Sequence, residues 1–67
     1  MDIKVKLTLE AIRMQMNLTR AEMAEKMHIN IDRYNRLANG DSKMLATEFV
    51  DIHELSGIPF ENISPTA

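Results

Sequence analysis

The sequence predicts an all-α fold, a compact bundle of about five short helices in one domain that spans residues 1–67. Three observations lead to this prediction. Apolar residues recur at the three- and four-residue spacing of a helix face in four separate segments. Capping residues and Asn or Gly stop signals separate these segments. The chain has 67 residues and no cysteine, so packed side chains rather than disulfides have to form the core.

The first residues follow a different pattern. In residues 2–7, DIKVKL, apolar side chains at positions 3, 5 and 7 alternate with two lysines. Alternation with a period of two and β-branched residues is typical of a strand. A single strand needs a partner, which would be the C-terminal segment or a second subunit. An N-terminal arm without regular structure is the alternative for residues 1–7.

Capping residues mark the first two helices. Thr8 is placed to cap a helix that ends near residues 16–17. Thr19 and Glu22 have the spacing of a capping box, in which each side chain accepts a hydrogen bond from the backbone amide of the other residue. The second helix therefore begins at Arg20. Its inward residues are Met23, Ala24 and Met27.

The segment INIDRYNRLANG, residues 29–40, predicts a third helix between an Asn30 cap and a left-handed Gly40. At about 100° per residue, one face of this helix is apolar and the other is polar. The apolar face carries Ile31, Tyr34, Leu37 and Ala38, and we expect Tyr34 in the core. The polar face carries Asp32, Arg36 and Asn39, with Arg33 and Asn35 on its flanks.

The last part of the chain predicts a loop over residues 41–44 and a fourth helix in LATEFVDIHELSG, with Gly57 as its stop. Apolar residues at positions 49, 50, 52 and 55 are in helical register. Pro59 favours the first position of a final short helical turn in PFENI. Residues 64–67 are predicted to be a disordered tail.

Charge is distributed unevenly along the chain, whose net charge is −2. All eight Lys and Arg residues lie in residues 1–43, together with six acidic residues. Residues 44–67 contain four acidic residues and no Lys or Arg. A basic first part suits an anionic partner. The alternative is that this uneven distribution arose by chance, because the chain has few charges.

Composition argues against several functional classes. No apolar run approaches the roughly 18 residues of a membrane span, and no signal-peptide pattern is present, so we expect a cytoplasmic protein without membrane contact. His28 and His53 lie in no metal-ligand spacing, and we expect no metal or other cofactor. The chain has no nucleophile–base pair, clustered carboxylates or phosphate loop, so neither enzymatic activity nor a small-molecule substrate is expected.

Two short helices joined by a tight turn, the second with polar groups outward, form a helix-turn-helix. The stretch NLTRAEMAEKMHINIDRYNRLANG, residues 17–40, resembles the λ-repressor-like family of phage repressors, Cro proteins and Xre-type bacterial regulators. The capping box, Ala24, the apolar positions and the Asn-Gly stop carry the resemblance, which extends over residues 7–63. It implies a transcriptional regulator of the phage Cro-repressor type that binds a double-stranded DNA operator as a homodimer.

The resemblance also implies the residues of the site. The recognition helix would be the third helix, over about residues 31–39, in the major groove. The positions that match base contacts in the family are Ile31, Asp32, Arg33 and Arg36. Those that match DNA backbone contacts are Thr19, Arg20, Asn39 and Lys43. The side-chain chemistry agrees, because arginine can bind guanine, aspartate can accept from cytosine, and isoleucine can contact the methyl group of thymine.

Other interpretations of these residues stay open. Asp32 and Arg36 are four residues apart and can form an intrahelical ion pair worth about 0.3–0.5 kcal/mol, and Ile31 can be buried instead of exposed. His28 stands where the family usually has glycine, so we expect a strained positive φ there. Asp32 and Asp41 would oppose phosphate binding. The second hypothesis is therefore a protein-interaction module on the same fold, an antirepressor or modulator that binds a phage repressor.

Overall fold

The structure is a computed structural model that describes residues 6–65. Its four α-helices are α1 (Leu9–Gln15), α2 (Arg20–Lys26), α3 (Ile31–Ala38) and α4 (Ala46–Ser56), and a 3-10 helix follows at Phe60–Asn62. The predicted all-α bundle is confirmed for these residues. One correction concerns the fifth element: the predicted last turn is a 3-10 helix, so the described residues form four α-helices rather than about five, and Pro59 precedes this turn instead of taking its first position. No helix in the described range is long and apolar enough to cross a membrane.

The first three helices begin at their predicted caps. The Thr8 hydroxyl accepts a backbone amide of α1 at 3.1 Å. At α2 the capping box is complete, since Glu22 N–H donates to Thr19 Oγ1 at 3.1 Å and Thr19 N–H donates to Glu22 Oε1 at 2.9 Å. Asn30 Oδ1 accepts the amide of Arg33 at 2.8 Å and starts α3. Each cap satisfies an amide that has no partner within its helix.

Helices α1, α2 and α3 also end alike. The residue beyond each C-cap is left-handed, with φ of 57° at Asn17, 60° at His28 and 81° at Gly40. The next amide then donates to the carbonyl five residues earlier, at 3.3 Å, 3.0 Å and 2.9 Å respectively. This pattern is the Schellman motif, which reverses the chain in few residues. It allows short helices to follow one another closely, and it confirms the positive φ predicted for His28.

Residues from all four helices and the C-terminal segment form the core: Leu9, Ile12, Met23, Ala24, Met27, Tyr34, Leu37, Ala38, Ile52 and Ile63. The predicted inward faces of α2 and α3 are confirmed, with one exception. Ile31 remains 41% exposed, so its predicted place on the apolar face does not lead to burial. It is the first residue of α3, where the Cα–Cβ bond tilts toward the helix start and away from the turns that carry the buried residues.

The beginning and the end of the described chain lie side by side. Leu7 and Ile63 form a parallel bridge, in which Leu7 N–H donates to the Asn62 carbonyl at 2.7 Å and Ser64 N–H donates to the Leu7 carbonyl at 2.8 Å. Of the two predicted partners for an N-terminal strand, the C-terminal segment is the one that Leu7 contacts. Lys6 has no strand structure, and residues 2–5 of the predicted strand lie outside the described residues.

The C-terminal segment is held further than its sequence predicts. Ser64 takes part in the bridge, and the Pro65 carbonyl accepts the amide of Met44 at 3.2 Å. The predicted disordered tail therefore does not include residues 64–65, and its residues 66–67 lie outside the described residues. The contact with Met44 connects the C-terminal segment to the loop between α3 and α4.

Candidate nucleic-acid interface

Four residues, Met27 to Asn30, join α2 to α3. They contain the left-handed His28 that ends α2 and the Asn30 cap that begins α3. Met27 is buried and anchors this connection in the core. Local hydrogen bonds and one buried side chain thus set the direction in which α3 leaves the turn.

The outer face of α3 consists of Ile31, Asp32, Arg36 and Asn39, all of which are exposed. The side chains of Asp32 and Arg36 make no hydrogen bond or ion pair with any residue of the described range. The intrahelical ion pair between them, one of the alternatives from the sequence, is not formed. An apolar side chain, a carboxylate, a guanidinium and an amide are therefore available to an external partner.

Arg33, a predicted base contact, is engaged inside the protein. Its Nε donates to Glu48 Oε2 at 2.8 Å, and its Nη2 donates to Glu48 Oε1 at 2.7 Å. The same Nη2 donates to the Lys43 carbonyl at 3.1 Å. These hydrogen bonds from Arg33 hold the pKa of the Glu48 carboxyl below its ordinary value, although burial acts in the opposite direction. The structure thus assigns the Arg33 side chain to the contact between α3 and α4 rather than to the outer face of α3.

Arg20, a predicted backbone contact, joins three helices. Its Nε lies 2.6 Å from Glu10 Oε1 of α1, and its Nη1 donates to Asn35 Oδ1 of α3 at 2.9 Å. The contact with Glu10 is an ion pair by distance, but its angles do not satisfy a hydrogen bond, since Glu10 Oε1 has no hydrogen-bond partner. Glu10 Oε2 accepts a hydrogen bond from Arg13 Nε at 2.6 Å. The Arg20 side chain stays 41% exposed, so it can still reach a phosphate, although the Glu10 carboxylate offsets part of its positive charge.

The other three predicted backbone contacts are exposed. Thr19 lies at the start of α2, where its hydroxyl oxygen already accepts the amide of Glu22. Asn39 is the C-cap residue of α3, and Lys43 lies in the following loop with its carbonyl bound by Arg33. Asn39 and Lys43 thus lie at and just beyond the end of α3, whereas Thr19 lies at the start of α2.

Charges around α3 nearly balance. Arg36 and Lys43 are exposed cations of α3 and its following loop, and Asp32 and Asp41 are exposed anions of the same segment.

The sequence predicts Arg20 and Arg33 as further cations of this surface, but both have acidic partners in the structure. Sequence reasoning did not identify those partners, Glu10 and Glu48, because no local pattern connects residues of different helices.

A shallow depression of about 470 Å³ lies on α2 and is lined by Glu22, Glu25, Lys26 and His28. The depression is open to solvent and therefore offers no enclosed place for a small molecule. Within residues 6–65, no group of three or more His, Asp or Glu side chains lies close enough to hold a metal ion.

Comparisons with known proteins provide no relative for this chain. No protein-family model, curated protein or solved structure matched it.

Proposed function

We propose that this protein is a sequence-specific double-stranded DNA-binding transcriptional regulator of the phage or prophage Cro-repressor type. It acts in the cytoplasm as a homodimer and inserts α3 into the major groove. The observation that carries the proposal is the two-sided character of α3: Tyr34, Leu37 and Ala38 are buried, whereas Asp32 and Arg36 face outward without partners in the described structure. A helix of this kind fits the major groove, which is about 12 Å wide.

In this proposal three residues of α3 read bases. Arg36 donates two hydrogen bonds to O6 and N7 of a guanine, and Asp32 accepts one from a cytosine amino group. Ile31 contacts the methyl group of a thymine, and its exposure of 41% supports this role over burial. Arg33 was the fourth candidate, and its bonds to Glu48 make it a support of α3 instead.

The proposed phosphate contacts come from residues on both sides of α3. Lys43 and Arg20 supply positive charge, and Thr19 and Asn39 supply neutral hydrogen-bond donors. Two cations per protomer give about four phosphate neutralisations per dimer, so the logarithm of the binding constant should fall with the logarithm of salt concentration with a slope of about −4. Two copies on a pseudo-palindromic operator would place their α3 helices about 34 Å apart.

The proposal is tested by selecting duplexes from a random library on the full chain and then titrating selected and scrambled duplexes at two salt concentrations. We expect an enriched pseudo-palindromic sequence and at least about a thousandfold preference for it over scrambled DNA. A matched pair of variants, Lys43→Ala and Lys6→Ala, distinguishes a contact at the interface from a general effect of positive charge on DNA binding. Both lysines are exposed, and only Lys43 adjoins α3. Failure to bind any duplex at low salt would refute the proposal.

A protein-interaction module on the same fold is the second candidate. The engagement of Arg20 and Arg33 with Glu10 and Glu48 favours it, because the surface around α3 then has little net positive charge. Such a module would bind a phage repressor and block its DNA-binding helix. Binding of a repressor domain that persists after Arg36→Ala and Lys43→Ala, without DNA binding by the wild-type chain, would favour this candidate.

A further inference from the structure

Glu48 is a buried acid at the junction of three segments and is only 3% exposed. Its Oε1 accepts the amide of Leu45 at 2.7 Å and Arg33 Nη2 at 2.7 Å, and its Oε2 accepts Arg33 Nε at 2.8 Å. Arg33 belongs to the first turn of α3, and Leu45 is the N-cap residue of α4. One carboxylate therefore connects the start of α3 to the start of α4.

The same ion pair also holds the loop between these helices. Arg33 Nη2 donates to the Lys43 carbonyl at 3.1 Å, and the next amide, that of Met44, donates to the Pro65 carbonyl at 3.2 Å. Backbone groups of three successive residues, 43 to 45, are thus fixed by hydrogen bonds. The Lys43 side chain remains exposed, so its ammonium group extends from a backbone that is tied to the first turn of α3.

We infer that Glu48 is a positioning residue: it fixes the place of Lys43 relative to the outer face of α3, so that both can contact DNA at the same time. This inference depends on the proposed function. Phosphate contacts fix where a protein lies on the duplex, and base contacts then read the sequence. If Lys43 shifts relative to Ile31, Asp32 and Arg36, the phosphate contact and the base contacts can no longer form together. Glu48 touches no DNA and acts through Arg33 and the loop.

Removal of the carboxylate has two separate consequences. Arg33 loses the carboxylate that offsets its charge and becomes a further cation beside the phosphates, which strengthens binding to any duplex and steepens the salt slope by about one unit per protomer. The lost positioning of Lys43 weakens binding to the selected duplex by about the effect of one mismatched base pair, roughly tenfold. Selectivity should therefore fall although affinity for scrambled DNA does not.

The test measures the ratio of affinities for selected and scrambled duplexes in Glu48→Gln, in the double variant Arg33→Met with Glu48→Gln, and in the control Glu54→Gln. Glu54 is an exposed acid of the same helix, so its change removes the same charge without touching the loop. We expect the ratio to fall about tenfold in the first two variants and to stay at the wild-type value in the control. Only Glu48→Gln should gain affinity for scrambled DNA, since the double variant has no unpaired Arg33.

Two results would overturn the inference, and they have different meanings. A selective wild-type chain whose selectivity persists in both Glu48 variants would refute the positioning role alone. A wild-type chain without selectivity would refute the proposed function and this inference together. If Glu48→Gln fails to fold, the double variant carries the test, because it leaves no buried charge without a partner.

Discussion

His28 at the end of α2 and Asn17 at the end of α1 occupy equivalent positions, because each is the first residue beyond the C-cap of its helix. Their φ angles are 60° and 57° respectively. The left-handed conformation costs residues other than glycine roughly 1–2 kcal/mol, and asparagine and histidine tolerate it better than most but still with some strain. The turn that directs α3 therefore stores backbone strain at His28. The proposed role of α3 in reading DNA requires that this helix keep its direction, and the turn fixes that direction by a Schellman motif despite the strain.

Replacement of His28 by glycine should stabilise the protein. We expect His28→Gly to raise the free energy of unfolding by about 0.5–1 kcal/mol, because relief of the strain exceeds the added entropy of glycine in the unfolded chain. Urea unfolding measures this change. His28→Ala is the control, since alanine keeps the strain and should give no gain. An equal gain in both variants would mean that the histidine side chain, not its φ, is the cause.

The capping box of α2 should make a measurable contribution to stability. Thr19→Ala removes the acceptor of the Glu22 amide, and we expect a loss of about 1 kcal/mol in the free energy of unfolding. Thr47→Ala is a matched control, because Thr47 is an exposed threonine within the first turn of α4 and alanine has the higher helix propensity. If both variants lose the same free energy, the cap does not explain the effect at Thr19.

Protonation of Glu48 in acid should lower the free energy of unfolding. Arg33 lowers the pKa of the Glu48 carboxyl in the folded state. The stability that comes from this difference is therefore complete above the ordinary pKa of glutamate, about 4.3, and is lost as the pH falls toward the folded-state pKa. Glu48→Gln should be less stable than wild type near neutral pH.

The measurement is the free energy of unfolding of wild type and Glu48→Gln from about pH 7 to about pH 3. The two curves should converge as the pH falls, because the variant lacks the carboxylate that wild type protonates. Glu54→Gln is the control, because it leaves the Arg33–Glu48 pair intact and should therefore keep the loss of stability in acid that this pair causes in wild type. Parallel curves for Glu48→Gln would contradict the assignment.

The Tyr34 hydroxyl is buried and makes no hydrogen bond of good geometry among residues 6–65, although the Arg13 guanidinium lies close enough to act against the rise in its pKa. Burial and the nearby Glu10 carboxylate raise the pKa of Tyr34 to about 12, so the hydroxyl stays protonated. A buried hydroxyl without a partner costs about 1–3 kcal/mol, so Tyr34→Phe should leave stability unchanged or raise it by about 1 kcal/mol. Thermal and urea unfolding measure the difference. A clear loss of stability in Tyr34→Phe would contradict an unpartnered hydroxyl.

The features that the sequence predicts well are local ones. The caps at Thr8, Thr19 and Asn30 and the positive φ of His28 involve residues no more than five positions apart. Their geometry follows from backbone hydrogen bonding within a turn, so residue types at fixed spacing are sufficient to predict them. The buried face of α3 follows from helical period for the same reason, except at its first residue.

The roles of the arginines are not local and could not be predicted in this way. Arg33 and its partner Glu48 are 15 residues apart and lie on different helices. Arg20 forms an ion pair with Glu10 of α1 and a hydrogen bond to Asn35 of α3. Which cation remains exposed depends on how the helices pack, and no spacing rule describes that. The sequence thus predicts the candidate surface as a set of residues, whereas the structure separates Arg36, which has no partner among residues 6–65, from Arg20 and Arg33, which have partners.

The most direct test of the central claim is the base-by-base specificity of Arg36→Ala. Wild type and variant are titrated with the selected operator and with operators in which one guanine per half-site is replaced. The proposal predicts that one substituted position costs wild type about 1–3 kcal/mol and costs Arg36→Ala almost nothing, while discrimination at the other positions persists. Loss of affinity by the variant in equal proportion on every duplex, with discrimination unchanged at every position, would contradict base reading by α3.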